Sequence, residues 1–134
     1  MVKKVFVADF ETTVYSGQKN TEVWAAALVE LNTENVIIDT SIEAHFQTIR
    51  NQKGNILVYY HNLKFDGSFW LDYLLKNSNF SQAIDANKQF CTDKQMPNNS
   101  YKYSISNRGQ WYTIIIRVDN RFIEIRDSLK LLPF

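Results

Sequence analysis

Two carboxylates lie two residues apart at the end of an apolar segment, in the stretch FVADFETTV of residues 6–14. Side chains of an extended strand alternate between its two faces, so Asp9 and Glu11 share one face and Phe10 points to the other. A core strand has no packing use for acids, because a buried charge is costly. The pair therefore predicts either a solvated strand end or a site that holds a positively charged group.

A third acid follows a second apolar segment. NILVYY leads directly into HNLKFDG, which contains Asp66. Sites in open α/β sheets form at the carboxyl ends of strands, so Asp9, Glu11 and Asp66 can converge if the two strands are neighbours. Three carboxylates so close could not all ionise without a cation, and hard divalent cations prefer oxygen ligands. The pattern predicts two-metal phosphoryl-transfer chemistry.

Each part of this pattern also has a purely structural explanation. A D-x-E at a strand end is commonly a solvated turn, and Asp66 could cap a helix over SFWLDYLL. His61 could be an ordinary hydrogen-bonded loop histidine, Asn62 a turn residue and Lys64 a solvated side chain. The combination of these residues favours the site over any of the separate explanations.

The elements that position the acids predict a mixed α/β domain. A continuously apolar first strand, KVFVADF, is expected to be covered on both faces and to continue into an antiparallel meander. A helix is expected to begin at a Ser41 cap, with Glu43 in its first turn, and to end at Gly54. The predicted elements up to residue 77 are the strands KVFVADF, TEVWAAALVEL, NVIIDT and NILVYY, the helices SIEAHFQTIRNQK and SFWLDYLLKN, and HNLKFDG as an exit loop.

From residue 78 onward, the sequence predicts a hairpin insertion rich in strands. Residues 78–100 are rich in Asn, Gln, Ser and Lys, which predicts a long loop or a weak hairpin. Three strands are then expected, joined by an RG turn and a DN turn. They are YKYSISN, QWYTIIIRV and RFIEIRD.

Length and composition limit the possible functions. The chain has 134 residues, which fits one domain, and 45% are apolar. The net charge of +1 gives no general basic field, so nucleic acid would have to bind in a local cleft. The single cysteine excludes a disulfide framework and favours a reducing compartment. No apolar segment has the roughly 20 residues that a membrane span needs, so no membrane partner is expected.

Three segments together resemble the N-terminal 3′→5′ exonuclease domain of protein-primed family B DNA polymerases, the kind found in phages and linear plasmids. They are DFETT, YYHNLKFDGSFWLDYLL and RDSLKLLPF. The resemblance implies a ribonuclease H-like fold with a β-hairpin insertion and a site for Mg²⁺ or Mn²⁺. It implies that Asp9 and Glu11 form the first exonuclease motif and that Asp66 is the metal-binding acid of the second.

The resemblance further implies contacts with the 3′ end of single-stranded DNA. The residues that match such contacts in the family are Thr12, Asn62, Phe65, Ser128 and Leu129. The positions matching His61 and Phe69 are linked in the family to DNA or to the terminal protein that primes synthesis. Phe65 is an aromatic of the kind that stacks on a base, although it could equally be a core residue. Ser128 could equally cap a helical turn.

The third motif of that family, Tyr-x-x-x-Asp, does not occur in the 134 residues. The apolar end, DSLKLLPF, also suggests the start of a longer protein. The expectation is therefore a partial exonuclease domain over residues 1–134, weakly active or inactive alone, whose partners include the remainder of a polymerase chain in a bacterial cytoplasm. The alternatives are a stand-alone ribonuclease H-like nuclease acting on RNA or DNA, and a non-catalytic fragment that binds single-stranded DNA or terminal protein.

Overall fold

A computed structural model describes residues 3–12, 22–61, 63–105 and 112–127. At residues 64, 65, 105 and 112 it describes the backbone but not the side chains. This part of the chain forms one eight-stranded mixed sheet with two α-helices, which confirms the predicted mixed α/β class. In chain order the elements are β1 Lys4–Thr12, β2 Val23–Glu30, β3 Val36–Asp39, α1 Ile42–Arg50, β4 Ile56–Tyr60, α2 Leu63–Lys76, β5 Ser81–Gln82, a 3₁₀ turn Asp93–Gln95, β6 Ser100–Ile105, β7 Tyr112–Val118 and β8 Arg121–Asp127.

The strand order β3-β2-β1-β4-β8-β7-β6-β5 places three parallel strands at the centre of the sheet. β4 runs parallel to β1 on one side and parallel to β8 on the other. The predicted antiparallel meander of β1, β2 and β3 is confirmed, as is the antiparallel order of β6, β7 and β8. Because β1, β4 and β8 point the same way, their carboxyl ends meet at one end of the sheet, called here the carboxyl end.

Both described helices pack on one face of the sheet. Phe6, Ala8 and Phe10 of β1 are buried on that face, and Phe10 contacts Trp70 of α2. Val7, on the opposite face of the same strand, is 37% exposed. The prediction that this strand is covered on both faces is therefore wrong for the described part of the chain, because alternation leaves Val7 away from the two helices.

α1 begins as predicted and ends earlier than predicted. The Oγ of Ser41 accepts a hydrogen bond of 3.1 Å from the backbone N–H of Ala44, and Glu43 lies in the first turn. The helix ends at Arg50, with Asn51 as its C-cap. Gly54 does not end the helix but lies in the turn towards β4, where its φ of 84° favours glycine.

α2 begins at Leu63, five residues before the predicted start, so the segment 63–67 is helical and not an exit loop. The stripe of α2 that faces the sheet follows the helical spacing i, i+3, i+4, i+7 and i+11. Its members are Leu63, Asp66, Gly67, Trp70 and Leu74, all buried. An acid and a glycine in the middle of the stripe hide the helical period in the sequence. Asp66 therefore lies within the helix and does not cap it.

The segment between α2 and β6 contains short regular elements. β5 pairs in parallel with β6, and an antiparallel bridge joins Ile84 to Phe90. The hairpin alternative for residues 78–100 is thus closer to the structure than the loop alternative. The predicted DN turn joins β7 to β8, with positive φ at both Asp119 and Asn120 as a type I′ turn requires. The RG turn lies outside the described residues. Within the described part of the chain, no helix is long and apolar enough to cross a membrane.

Candidate active site

The acids singled out in the sequence lie at the carboxyl end of the sheet. Ala8 of β1 pairs with Tyr60 of β4, so Asp9 and Glu11 extend just beyond the last paired position. Asp66 follows on the first turn of α2, which starts three residues after β4 ends. The two acid-bearing strands are therefore neighbours, which is the condition under which the acids can converge.

These acids differ sharply in exposure. Asp9 and Glu11 are exposed and lie on the face opposite Phe10, as the alternation of β1 predicts. Asp66 is only 3% exposed, because α2 places it between the helix and the sheet. The arrangement therefore combines two solvent-accessible carboxylates with one that is almost completely shielded from water.

The Asp66 carboxyl group is in an environment that disfavours its charged form. Its Oδ2 atom is buried and has no hydrogen-bond partner among the described residues. Burial, and to a smaller extent the negative charges of Asp9, Asp127 and Glu11, together raise the pKa of Asp66 to about 7. At neutral pH this carboxyl group is close to half protonated, so the structure holds a buried acid that a positive ligand would ionise.

The donor chemistry at this end of the sheet fits a hard divalent cation. Carboxylate oxygens are the ligands that Mg²⁺ and Mn²⁺ prefer. The Oδ2 atom of Asp66 has no hydrogen-bond partner among the described residues and is available as such a ligand. Within the described part of the chain, no three His, Cys, Asp or Glu side chains are already gathered closely enough to hold a metal ion. Within the described residues, the carboxylates at this end of the sheet therefore do not form a preformed metal cage.

A layer of buried rings lies behind the acids on the helix side. Phe10 packs against His45 and Tyr60, with ring centroids 5.2 and 5.3 Å away. The Nε2 atom of His45 and the hydroxyl of Tyr60 are 2.6 Å apart, a short hydrogen bond. Burial lowers the pKa of His45 to about 4, against a smaller opposing effect of Asp39, so the ring is neutral at pH 7. This layer adds no charge to the site.

Of the other predicted site residues, three have side chains that the structure describes and four do not. Thr12 is half-buried at the end of β1, and His61 is exposed directly after β4, so both lie at the carboxyl end of the sheet. Phe69 is half-buried and meets Phe10 edge to face, 6.3 Å between centroids, which makes it partly a core residue. The side chain of Phe65 lies outside the described part of the structure, and so do three whole residues: Asn62, Ser128 and Leu129.

One acid at this end of the sheet was not among the sequence candidates. Asp127 is the last residue of β8, is 1% exposed, and pairs in register with Tyr60. The signal was present, because RFIEIRD ends in an acid just as the first strand ends in D-x-E. The family resemblance assigns roles to the next two residues, Ser128 and Leu129, and not to Asp127.

The sequence is similar over its whole length to DNA polymerases of several phages, while no family model matches it. The polymerase of Bacillus phage Nf is 34% identical, across 100% of this chain and 22% of the relative. That of Bacillus phage phi29 is 31% identical with the same coverage, and that of Streptococcus phage Cp-1 is 28% identical across 96% of this chain and 21% of the relative. The chain thus spans about a fifth of the length of these curated relatives.

Solved structures give the same result. Phi29 DNA polymerase complexed with primer-template DNA and incoming nucleotide substrates superposes with a TM-score of 0.77 at 29% identity, covering 100% of this chain and 22% of that one. Phi29 DNA polymerase complexed with single-stranded DNA superposes with a TM-score of 0.75, covering 99% of this chain and 22% of that one. The fold described above is therefore similar to that of one segment of the phi29 polymerase chain.

Proposed function

Since this chain matches, over its whole length, the N-terminal region of phi29-type DNA polymerases, we propose that it is the proofreading 3′→5′ exonuclease region of a protein-primed DNA polymerase. The reaction is hydrolysis of the terminal phosphodiester bond at the 3′ end of single-stranded DNA. Residues 1–134 act as one partial exonuclease domain, and polymerisation belongs to the remainder of the parent chain.

The observation that carries this proposal is the state of Asp66. A carboxyl group that is 3% exposed, with an oxygen lacking a hydrogen-bond partner, is costly to the fold and has no packing role. Strongly perturbed acids of this kind concentrate at functional sites. Asp66 also lies at the carboxyl ends of parallel strands, where α/β sheets place their ligands.

Each acid has a distinct part in the proposed chemistry. Asp9, Glu11 and Asp66 would hold Mg²⁺ or Mn²⁺, which when bound supplies positive charge to the reacting phosphate and lowers the pKa of a bound water. The exposed Asp9 and Glu11 lie on the side from which water and the DNA end can arrive. Asp66 would fix the site from the helix side, where the hydrogen-bonded pair of His45 and Tyr60 is neutral at pH 7 and adds no charge.

The proposed partners follow from the relatives. Phi29 polymerase is described with primer-template DNA and with single-stranded DNA, and we carry single-stranded DNA over to this chain. Contacts are assigned to Thr12, Asn62, Phe65, Ser128 and Leu129. His61 and Phe69 are assigned to DNA or to a terminal-protein primer. The bacterial cytoplasm is the proposed compartment, in keeping with phage relatives and a single cysteine.

The test is 3′-end degradation by the full-length protein that contains this chain. Labelled single-stranded DNA is incubated with Mg²⁺ or Mn²⁺, and Asp9→Ala is expected to lower the rate by roughly 100-fold or more, because several kcal/mol of transition-state stabilisation depend on the held charge. Asp85→Ala is the matched control, since Asp85 is an exposed acid between β5 and β6. An undiminished rate in Asp9→Ala would rule the proposal out.

Other outcomes would select the alternatives. Equal degradation of RNA would favour a stand-alone nuclease, and binding of DNA without cleavage would favour a non-catalytic fragment. Because residues 1–134 contain no Tyr-x-x-x-Asp, a polypeptide of these residues alone is expected to be much slower than the full-length protein in the same assay. Equal rates would show that the acids described here suffice.

A further inference from the structure

We propose that Phe10 is a positioning residue of the site. Its ring sets the separation between the acid pair of β1, Asp9 and Glu11, and the acid of α2, Asp66. The inference rests on the proposed function, because it concerns how the acids of the same site are held. Phe10 lies on the helix side of β1, opposite the acid pair, so it acts on the acids through the strand that carries them.

The sheet holds the acid pair from one side only. β1 pairs in parallel with β4 from Lys4 to Ala8, and the described pairing ends there. The antiparallel pairing with β2 continues beyond Ala8 and becomes irregular between Glu11 and Thr12. From Asp9 onward, β1 is therefore paired with β2 alone, as far as the described residues go. A strand end with so few partners is free to shift unless a side chain holds it.

The Phe10 side chain supplies a second hold. Its ring is buried on the helix side. The rings of His45 on α1 and Tyr60 on β4 lie 5.2 and 5.3 Å from it, centroid to centroid. The rings of Phe69 and Trp70 on α2 lie 6.3 and 6.4 Å from it. Aromatic rings attract each other at these separations. Three elements other than β2 thus hold the residue between the two acids.

Two of these rings connect Phe10 to Asp66. Phe69 and Trp70 follow Asp66 by three and four residues on α2, about one helical turn along the same side. α2 is continuous from Leu63 to Lys76, so a displacement of the Trp70 turn also displaces Asp66. The separation of Asp66 from the β1 acids therefore depends on how Phe10 packs.

The surroundings of Phe10 are fitted to a ring. Ala26 of β2 is its register partner, and Ala8 precedes it by two residues on the same face. Both alanines are buried, and their small side chains leave room for the neighbouring rings. A hydrogen bond of 2.6 Å joins His45 Nε2 to the Tyr60 hydroxyl and ties two of those rings together. A leucine in place of Phe10 would leave a gap that β1 or α2 must move to close.

The test is 3′-end degradation by the full-length protein that contains this chain, comparing Phe10→Leu with Phe46→Leu. Phe46 is 1% exposed and lies 5.8 Å from the Trp70 ring, but it is on α1 and has no described ring contact with β1. Both substitutions remove one ring from the same cluster, and both should lower the thermal unfolding midpoint. The assay is run below the midpoint of either variant.

The two variants should differ in the chemical step. Phe10→Leu is expected to lower kcat by about 10- to 100-fold, because a misplacement of about 1 Å can cost roughly 10²-fold in rate. KM for DNA should stay within about twofold, since the substitution leaves the DNA contacts in place. Phe46→Leu should leave both constants unchanged. A loss of stability alone would affect the two variants alike.

A second measurement reads the site without turnover. Mn²⁺ binding to the full-length protein is followed by the free-ion signal in electron paramagnetic resonance, and the binding that Asp9→Asn removes is assigned to this site. Phe10→Leu should weaken that binding by about 10-fold, as losses of support around metal-holding side chains do. Phe46→Leu should leave it unchanged. Phe10→Ile, whose branched side chain suits a strand, repeats both measurements.

The inference requires both the fall in kcat and the weaker Mn²⁺ binding. Equal values in Phe10→Leu and Phe46→Leu, in a protein that Asp9→Ala inactivates, would show that the inference is wrong and that the proposed function stands. The same conclusion follows if neither Phe10 variant folds while Phe46→Leu does, because the ring would then serve the fold as a whole. If Asp9→Ala does not lower the rate, the inference and the proposed function fail together.

Discussion

The contribution of Asp66 to the stability of the chain depends on pH. Its pKa is raised in the folded state, from 3.8 to about 7, mainly by burial and then by neighbouring acids. The folded chain therefore binds more protons than the unfolded chain between these values. Stability is lost as pH rises from about 4 to about 7, because the folded state must then hold a buried charge. The buried position of Asp66 therefore lowers the free energy of unfolding at neutral pH.

Asp66→Asn is accordingly expected to stabilise the chain at pH 8. Each unit of pKa shift corresponds to about 1.4 kcal/mol, so the gain in the free energy of unfolding should be on the order of a few kcal/mol. At pH 3 the gain should nearly vanish, because the carboxyl group is then mostly protonated in both states. Urea unfolding at the two pH values measures the difference. An equal effect at both values would show that Asp66 is not buried as described.

His45 has the opposite pH dependence. Its pKa is lowered from 6.5 to about 4 by burial, so the folded state resists protonation and stability is lost as pH falls through this range. The loss should be about 3 kcal/mol. His45→Gln, measured in the Asp66→Asn background to remove the opposing titration, should lack this fall while His61→Gln retains it. An unchanged profile in His45→Gln would contradict the assignment.

At the scale of elements, the sequence predicted the strands well and the second helix poorly. Alternation in FVADFETTV placed Asp9 and Glu11 opposite Phe10, and the structure agrees. α2 was displaced by five residues because Asp66 and Gly67 occupy positions that a core-facing stripe normally fills with apolar side chains. This acid and this glycine interrupt the apolar spacing from which a core-facing helix is recognised in a sequence. Asp127 was missed for a different reason: although RFIEIRD ends in an acid, a local motif does not show which distant strand β8 pairs with.

The cap of α1 allows a quantitative test at this scale. Ser41 satisfies the N–H of Ala44, one of the donors that a helix start leaves open. Ser41→Ala should lower the free energy of unfolding by about 1 kcal/mol. Ser78→Ala is the control, because Ser78 is exposed and lies outside both helices. Equal losses in thermal or urea unfolding would mean that the cap makes no special contribution.

For the molecule as a whole, the described helices cover only one side of the sheet. The other side, the face of Val7, Asp9 and Ile38, carries exposed apolar groups, and Ile38 is 68% exposed. Exposed apolar patches of this kind promote association. A polypeptide of residues 1–134 is therefore expected to self-associate with increasing concentration, and Ile38→Lys should reduce this in sedimentation velocity.

Leu75 offers a matched control for that experiment. It is 62% exposed, close to the value for Ile38, but lies on α2 in the helix layer. Leu75→Lys should leave the sedimentation profile unchanged. If both substitutions reduce association equally, general surface hydrophobicity is responsible, and the uncovered face of the sheet has no special role.

The strand order has a consequence for how the protein is made. Partners across the sheet are far apart in the chain: Lys3 and Glu124 are separated by 121 residues, and Asn55 and Phe122 by 67. Contacts of such long range form slowly, because a large loop must close before any of them is gained. Chains leave the ribosome at about 5–20 residues per second, amino end first. β1, with Asp9 and Glu11, must therefore wait for several seconds without its full sheet, and Asp127 joins the other acids only after β8 has emerged and paired with β4. A nascent chain would thus carry the individual carboxylates long before the folded sheet brings them to one end.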